Sequence, residues 1–126
     1  MPSLEKSPPE LVARFDELSS LVPDATRRQM FGYPSCVLRG NLFMSLFVDR
    51  MILRLGEDDR RNFIATHHAP IFEPMPGRPM KQYVVVPPSL LDDPAIEDWI
   101  ARAHSHAATL PAKQPKPARA RPRLKR

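Results

Sequence analysis

The sequence predicts an α+β fold, in which an antiparallel sheet of about five strands is flanked by three helices in the order α-β-β-β-β-α-β-α. Three observations lead to this prediction. Apolar residues recur at helical spacing in the segments 7–22, 57–68 and 94–110. Between positions 27 and 55, short apolar and branched segments alternate with turn-prone residues. A last strand, 80–86, is closed by two prolines, which cannot donate to a sheet ladder.

The first helix, 7–22, has a start signal and a stop signal. The Ser7 side chain can accept a hydrogen bond from the first turn, and Glu10, three residues later, stands at the glutamate position of a capping box. Pro23 ends the helix because the residue before a proline is disfavoured in helical geometry. A single apolar stripe lies between these limits: Leu11, Phe15, Leu18 and Val22.

The next part of the chain predicts a meander of four antiparallel strands. The strands are 27–31, 36–39, 42–48 and 51–55. The turn-prone residues that separate them are Gly32-Tyr33-Pro34, Gly40-Asn41 and Asp49-Arg50. The third strand carries apolar side chains on both faces, which indicates a central strand that is covered in part on each side.

The second half of the chain predicts a helix, a strand and a last helix. Acidic residues begin the helix 57–68 and two histidines end it, as the helix dipole favours. Asp93 is expected to cap the helix 94–110, with Pro94 at its first position. The large side chains expected in the core are Phe15, Leu18, Phe43, Leu46, Leu53, Phe63, Tyr83, Trp99 and Ile100.

A basic tail follows the folded domain, which we expect to span residues 1–110. The tail, 111–126, contains seven of the chain's 19 cations and none of its 14 acids, so residues 1–110 carry 12 cations and 14 acids. Because it has almost nothing to bury, we expect the tail to be disordered. Its seven cations without an acid predict binding to nucleic acid without sequence preference. The alternative is a solvated terminus that only keeps the domain soluble. Its cations are Lys113, Lys116, Arg119, Arg121, Arg123, Lys125 and Arg126.

The composition excludes several classes of protein. The single cysteine, Cys36, cannot form an internal disulfide. No apolar stretch approaches the roughly 20 residues that a membrane-spanning helix needs, which argues against a membrane partner. The N-terminus lacks the apolar run of a secretory signal, so we expect a cytoplasmic protein.

The sequence contains no catalytic or metal-binding constellation, so it predicts no enzyme activity, no cofactor and no metal. His104 and His106 are two residues apart on a helix and project about 200° apart, so they cannot hold one ion together. Cys36 is expected to be a buried small hydrophobe, because free cysteine is among the most buried residue types. The alternative is a reactive thiol, which would need a nearby cation, and Arg27 and Arg28 across the hairpin are the candidates.

The segment 73–81, which is rich in proline and methionine, is the candidate partner-binding loop. A long irregular loop within a compact domain is often functional. Met75 and Met80 offer adaptable apolar contacts, while Arg78 and Lys81 can engage an anion or an acidic partner. The alternative is a rigid connection whose two methionines pack over the edge of the sheet.

Several motifs, taken in order, resemble the N-terminal domain of the TfoX/Sxy family. They are Met30-Phe31-Gly32, then Gly40-Asn41-Leu42-Phe43, then Asp49 with Leu53-Arg54-Leu55, and finally Phe72, Met80, Tyr83 and Val86-Pro87. The resemblance covers about residues 10–108 and implies an antiparallel sheet flanked by helices, like that of secretion chaperones. Known members regulate natural competence in bacteria, together with the cyclic-AMP receptor protein. No enzyme activity is established for the domain.

The chain departs from the family pattern in two places. Tyr33-Pro34 follows Met-Phe-Gly where the family usually has a second glycine. The basic tail stands where full-length competence regulators carry a second, helical domain.

These observations leave two alternative functions. The first is a non-enzymatic regulatory or adaptor domain that binds a protein partner, such as a transcription regulator, and that can form a homodimer. The second is an enzyme or a small-molecule-binding protein that uses a pocket between sheet and helices. A concave site with convergent polar groups would favour the second function.

Overall fold

The computed structural model describes residues 6–30, 32–75 and 77–112, and it confirms the α+β class. In this part of the chain, the fold consists of one antiparallel sheet of six strands and four helices. The helices are α1 (Pro9–Ser19), α2 (Glu57–His67), α3 (Pro88–Leu91) and α4 (Ala95–Thr109). The strands are β1 (Thr26–Met30), β2 (Tyr33–Leu38), β3 (Asn41–Phe47), β4 (Arg50–Arg54), β5 (Ile71–Met75) and β6 (Arg78–Val86). None of these helices is long and apolar enough to cross a membrane.

The sheet consists of a meander and an added hairpin. Strands β1 to β4 pair in chain order, as the sequence predicts. The assignment of Tyr33 and Pro34 to the first turn is wrong, because they begin β2 and pair with Met30 and Gln29. Strand β6 then pairs with β4, and β5 lies outside β6, so that β1 and β5 form the two edges. Between β2 and β3, Arg39 and Gly40 have positive φ values of 51° and 84°. Two such residues form a turn whose twist matches that of the paired strands.

The segment 73–81 is a β-hairpin and not the irregular loop that its prolines suggest. Met75 of β5 pairs directly with Arg78 of β6. Pro74 lies on an edge strand, and Pro79 lies on the part of β6 that extends beyond the residues paired with β4. A proline removes one hydrogen-bond donor, which a strand tolerates where one of its sides is unpaired. Gly77 takes a φ of +77° in the turn, a conformation that glycine adopts without steric cost.

Helix α1 begins without the predicted serine cap. Pro8 is the N-cap residue, and its carbonyl oxygen accepts from the backbone nitrogens of Leu11 and Val12, both at 3.0 Å. The Ser7 hydroxyl is buried and has no hydrogen-bond partner within the described residues. The prediction failed because Pro8 precedes the helix in extended geometry and its carbonyl oxygen accepts the bonds from the first turn.

All four helices pack on one face of the sheet. Their buried side chains share a single core with alternate strand residues, and Met44, Leu53 and Val84 form one row across three neighbouring strands of that core. Seven of the nine predicted core residues are buried, whereas Tyr83 and Trp99 are only partly buried. Trp99 lies at the border of the core, where the guanidinium of the exposed Arg102 lies over its ring.

The opposite face of the sheet, here called the helix-free face, is covered by side chains of the strands themselves. The Phe47 ring lies between those of Tyr33 and Phe72, with centroid distances of 5.4 and 5.1 Å. Phe47 is in β3 and Phe72 is in β5, and β4 and β6 separate these strands. Because strands that far apart in a flat sheet would be about 14 Å from each other, the sheet must curve strongly towards this face. The buried hydroxyls of Ser35 and Ser45 are 2.8 Å apart on the same face.

Candidate functional site

The structure brings the four candidate partner-binding residues together on the β5–β6 hairpin. Met75 is 60 % exposed at its tip, with Arg78 paired opposite it. Lys81 is exposed further along β6, whereas Met80 is half-buried and pairs with Phe72. Met80 therefore packs on the sheet, while Met75 projects into solvent.

Local contacts fix the shape of the hairpin tip. The carboxylate of Glu73 accepts a hydrogen bond from the backbone nitrogen of Gly77 at 2.6 Å, which ties the turn back to β5. Within the described part of the chain, no ion pair engages Arg78 or Lys81. Among its described residues, the hairpin thus presents the apolar side chain of Met75 beside Arg78, with Lys81 further along β6.

The seven tail cations lie outside the described residues, but the structure fixes the start of the tail. The Arg39 guanidinium donates to the carbonyl oxygens of Ala108 at 2.6 Å and Leu110 at 3.1 Å. The Asn41 side-chain amide donates to the carbonyl oxygen of Pro111 at 2.9 Å. The turn between β2 and β3 therefore holds the end of α4 and the first tail residue.

A surface groove of about 540 Å³ lies at the end of the sheet where β3 turns into β4. Its polar lining includes Asp49, Arg50, His67 and His68, and apolar residues at the end of β6 and in α3 complete it. It lies where this end of the sheet meets the end of α2 and the short helix α3. A second, smaller groove of about 180 Å³ lies between the α1–β1 connection and α4.

The environment of Cys36 suits a structural thiol. Arg27 lies directly opposite Cys36 in the register of β1 and β2, which is the arrangement that would activate a thiol. Burial nevertheless raises the pKa of Cys36 to about 11, since it outweighs the opposing effect of Arg27. Asp16 binds Arg27 at 2.7 Å and offsets its charge. The thiol is therefore protonated near neutral pH and is a poor nucleophile.

The two histidines of α4, His104 and His106, lie in different local environments. His104 bonds to the Asp24 carboxylate at 2.9 Å, while its ring lies edge-on to Phe43. Burial lowers the pKa of His106, and the charges of Arg54 and Arg60 lower it further. Across residues 6–30, 32–75 and 77–112, no three His, Cys, Asp or Glu side chains come together as metal ligands.

Two features of the site could not be recognised in the sequence. The sequence Arg39-Gly40-Asn41 indicates a turn, but nothing in it indicates that both polar side chains hold the chain after α4. The sequence of the segment 73–81 also contains no signal that it forms a β-hairpin. Gly32, by contrast, has a φ of +85° with open space around it, as expected for a glycine that serves a turn.

The family model of the TfoX N-terminal domain matches residues 16–107, a span that begins within α1 and ends within α4. It therefore includes the whole sheet and the residues of the hairpin. No curated protein matches the chain, and no solved structure matches it.

Proposed function

Because the chain belongs to the family of the TfoX N-terminal domain, we propose that it is a non-enzymatic regulatory or adaptor domain that binds a protein partner through the tip of the β5–β6 hairpin. The basic tail adds non-specific contacts to nucleic acid. The partner we favour is a transcription regulator, in keeping with the competence regulators that the sequence resembles.

The observation that carries this proposal is the exposure of Met75. Only two large apolar side chains in the described residues are strongly exposed, and the other is Leu21. Methionine is a flexible and polarisable side chain that suits adaptable binding surfaces. Arginine is enriched at protein interfaces, and Arg78 lies directly beside Met75 without an ion-pair partner in the described chain.

The hydrogen bonds of Arg39 and Asn41 to the end of α4 and to Pro111, here called the clamp, support the role of the tail. Arg39 and Asn41 hold the chain as far as Pro111, so the tail leaves from a fixed point on the sheet. Seven cations without a carboxylate favour phosphate groups, and the absence of aromatic residues from the tail excludes base stacking as a source of affinity.

A specific observation also favours the alternative function. The groove beside the β3–β4 turn has the size of a small-molecule site and gathers Arg50 and His68 near an apolar wall. An anionic ligand with an apolar body would suit this lining. A thermal-shift screen of small organic acids against the parent protein and Arg50→Gln tests this candidate. If no ligand changes the melting temperature of the parent or of the variant, the candidate is contradicted.

The hairpin proposal is tested by site-specific crosslinking in the source cell. A photoreactive amino acid replaces Met75 in one variant and Leu21 in a matched control, because both side chains are apolar and exposed. We expect one partner to crosslink from position 75 and not from position 21. Arg78→Ala should weaken this crosslink, whereas Arg61→Ala, which removes an exposed arginine of α2, should leave it unchanged. Equal crosslinking from both positions would contradict the proposal.

A further inference from the structure

The charges of the molecule are separated between its two layers. The strands carry a single carboxylate, that of Glu73, whereas the helices and connections of the described chain carry twelve carboxylates and six cations. Six cations lie in the strands: Arg27, Arg28, Arg50, Arg54, Arg78 and Lys81. A nearly neutral domain thus has a cationic sheet and an anionic helical layer.

The register of the strands shows which face carries these cations. Arg28 pairs with Ser35, which pairs with Ser45, and this row belongs to the helix-free face. Arg50 pairs with Phe47 and lies on the same face. Arg27 is on the helical side instead, where Asp16 binds it and its guanidinium lies over the Phe15 ring.

The cations of the helix-free face are available for a ligand. Arg28 is exposed and has no ion-pair partner within the described residues. Arg50 is 54 % exposed, and its one ion pair within the described chain is with the neighbouring Asp49, at 3.8 Å. Arg54 is half-buried, bonds to the neutral amide of Gln82 and lies over the Tyr83 ring, so the two cations available for a ligand are Arg28 and Arg50. Glu73, the one carboxylate of the described strands, accepts a hydrogen bond from the backbone nitrogen of Gly77 in the β5–β6 turn.

From this arrangement we infer that the helix-free face of the sheet is a second binding surface, and that its ligand is the phosphate backbone of nucleic acid. Interfaces with nucleic acid are polar and strongly positive, whereas the core of a protein–protein interface is apolar and depleted of charge. Among the described residues, the two strongly exposed large apolar side chains lie elsewhere, Leu21 after α1 and Met75 at the hairpin tip. Charge complementarity therefore favours nucleic acid over an acidic protein.

The covered centre of the face indicates how the nucleic acid is bound. Tyr33 and Phe72 are each only 3 % exposed, and Phe47 is half-buried between them. A base needs an open ring face for stacking, so these rings offer no platform for successive bases. The contacts are consequently to phosphate, and binding is independent of base sequence and sensitive to salt.

This inference goes beyond the proposed function, because it involves neither the hairpin tip nor the tail, and its test keeps both intact. The probe is a fluorescein-labelled 24-base-pair duplex of arbitrary sequence, and fluorescence anisotropy measures its affinity for the full chain at several salt concentrations. Arg28→Gln with Arg50→Gln removes two cations from the helix-free face. Lys6→Gln with Arg61→Gln removes two exposed cations outside the sheet and is the control matched in charge.

We expect the sheet variant to bind at least about tenfold more weakly than the parent at 150 mM salt, because each lost phosphate contact removes about 0.9 from the logarithmic salt slope. The control variant should differ from the parent by less than about threefold, since its cations make no contact with phosphate. Thermal melting of both variants should match that of the parent, because all four substituted side chains are on the surface.

Three results would overturn the inference. Equal weakening in both variants would mean that net charge alone governs binding. Unchanged binding in the sheet variant would assign the phosphate contacts to the tail and leave the hairpin proposal untouched. If the chain binds poly-glutamate through Arg28 and Arg50 but does not bind the duplex, the face would be a site for acidic protein and not for nucleic acid.

Discussion

Removal of the Phe72 ring tests the curvature of the sheet, on which the helix-free face depends. Phe72 is 3 % exposed although it belongs to an edge strand, and its ring meets that of Phe47 across two intervening strands. Phenylalanine-to-alanine substitutions in a packed core cost about 3–5 kcal/mol. We expect Phe72→Ala to lower the free energy of unfolding by about 3 kcal/mol, the low end, because an edge site can collapse more easily around the lost ring.

The assay is urea unfolding followed by Trp99 fluorescence, with thermal melting as a second measurement. A loss of about 3 kcal/mol corresponds to a melting temperature lower by roughly 12 °C or more in a domain of this size. Phe43→Ala removes a fully buried ring on the helical side and should cost as much or more. Met75→Ala, on the same hairpin but exposed, should change the stability by less than about 0.5 kcal/mol.

A double-mutant cycle isolates the contact between the two rings. Phe47→Leu and Phe72→Leu, made singly and together, should show a coupling of about 0.5–1.5 kcal/mol, as found for aromatic pairs in contact. In a flat sheet the two side chains would not meet, and their effects would add. A coupling indistinguishable from zero, or a loss of less than about 1 kcal/mol for Phe72→Ala, would refute the curvature and with it the covered centre of the helix-free face.

Two further predictions concern titratable groups. Cys36, with a pKa of about 11 and 1 % exposure, should react with a disulfide reagent at pH 8 only in denaturant, and rapid labelling of the folded chain would show that β2 is accessible. The folded state depresses the pKa of His106, so it binds fewer protons than the unfolded chain below the ordinary value of 6.5. The free energy of unfolding should therefore fall as the pH drops through and below about 6.5. Urea unfolding at pH 7.5 and 5.5 should show a smaller fall in His106→Gln than in the parent protein. An identical fall in the variant and the parent would contradict this role of His106.

The sequence predicts the meander and the helices well because each has a strong local signal. The alternation of apolar residues with turn-prone pairs such as Gly40-Asn41 defines the strands from β1 to β4. Helix α4 has its apolar stripe, and the Asp93 carboxylate accepts a hydrogen bond from the Ala95 nitrogen at 2.9 Å, close to the expected cap. In these elements local preference and tertiary packing agree.

The remaining features depend on contacts between distant parts of the chain. Proline is usually a mark of loops, and only the place of β5 at the edge of the sheet makes Pro74 compatible with a strand. The clamp of Arg39 on α4 joins residues about 70 positions apart, and no local pattern indicates it. The positive charge of the sheet cannot be recognised in the sequence, because residues of β1 and β4, which are separated by two other strands, must first be placed on one face.

The separation of charge between the two layers has a consequence for how the molecule approaches a partner. A cationic sheet on one side and an anionic helical layer on the other form a dipole that acts before any contact is made. Near a polyanion this dipole experiences a torque that turns the sheet inwards and the helices outwards, within the Debye length of about 8 Å at physiological salt. Fewer collisions are then wasted in the wrong orientation, so association should be faster than net charge alone predicts, and this advantage should disappear as salt is added.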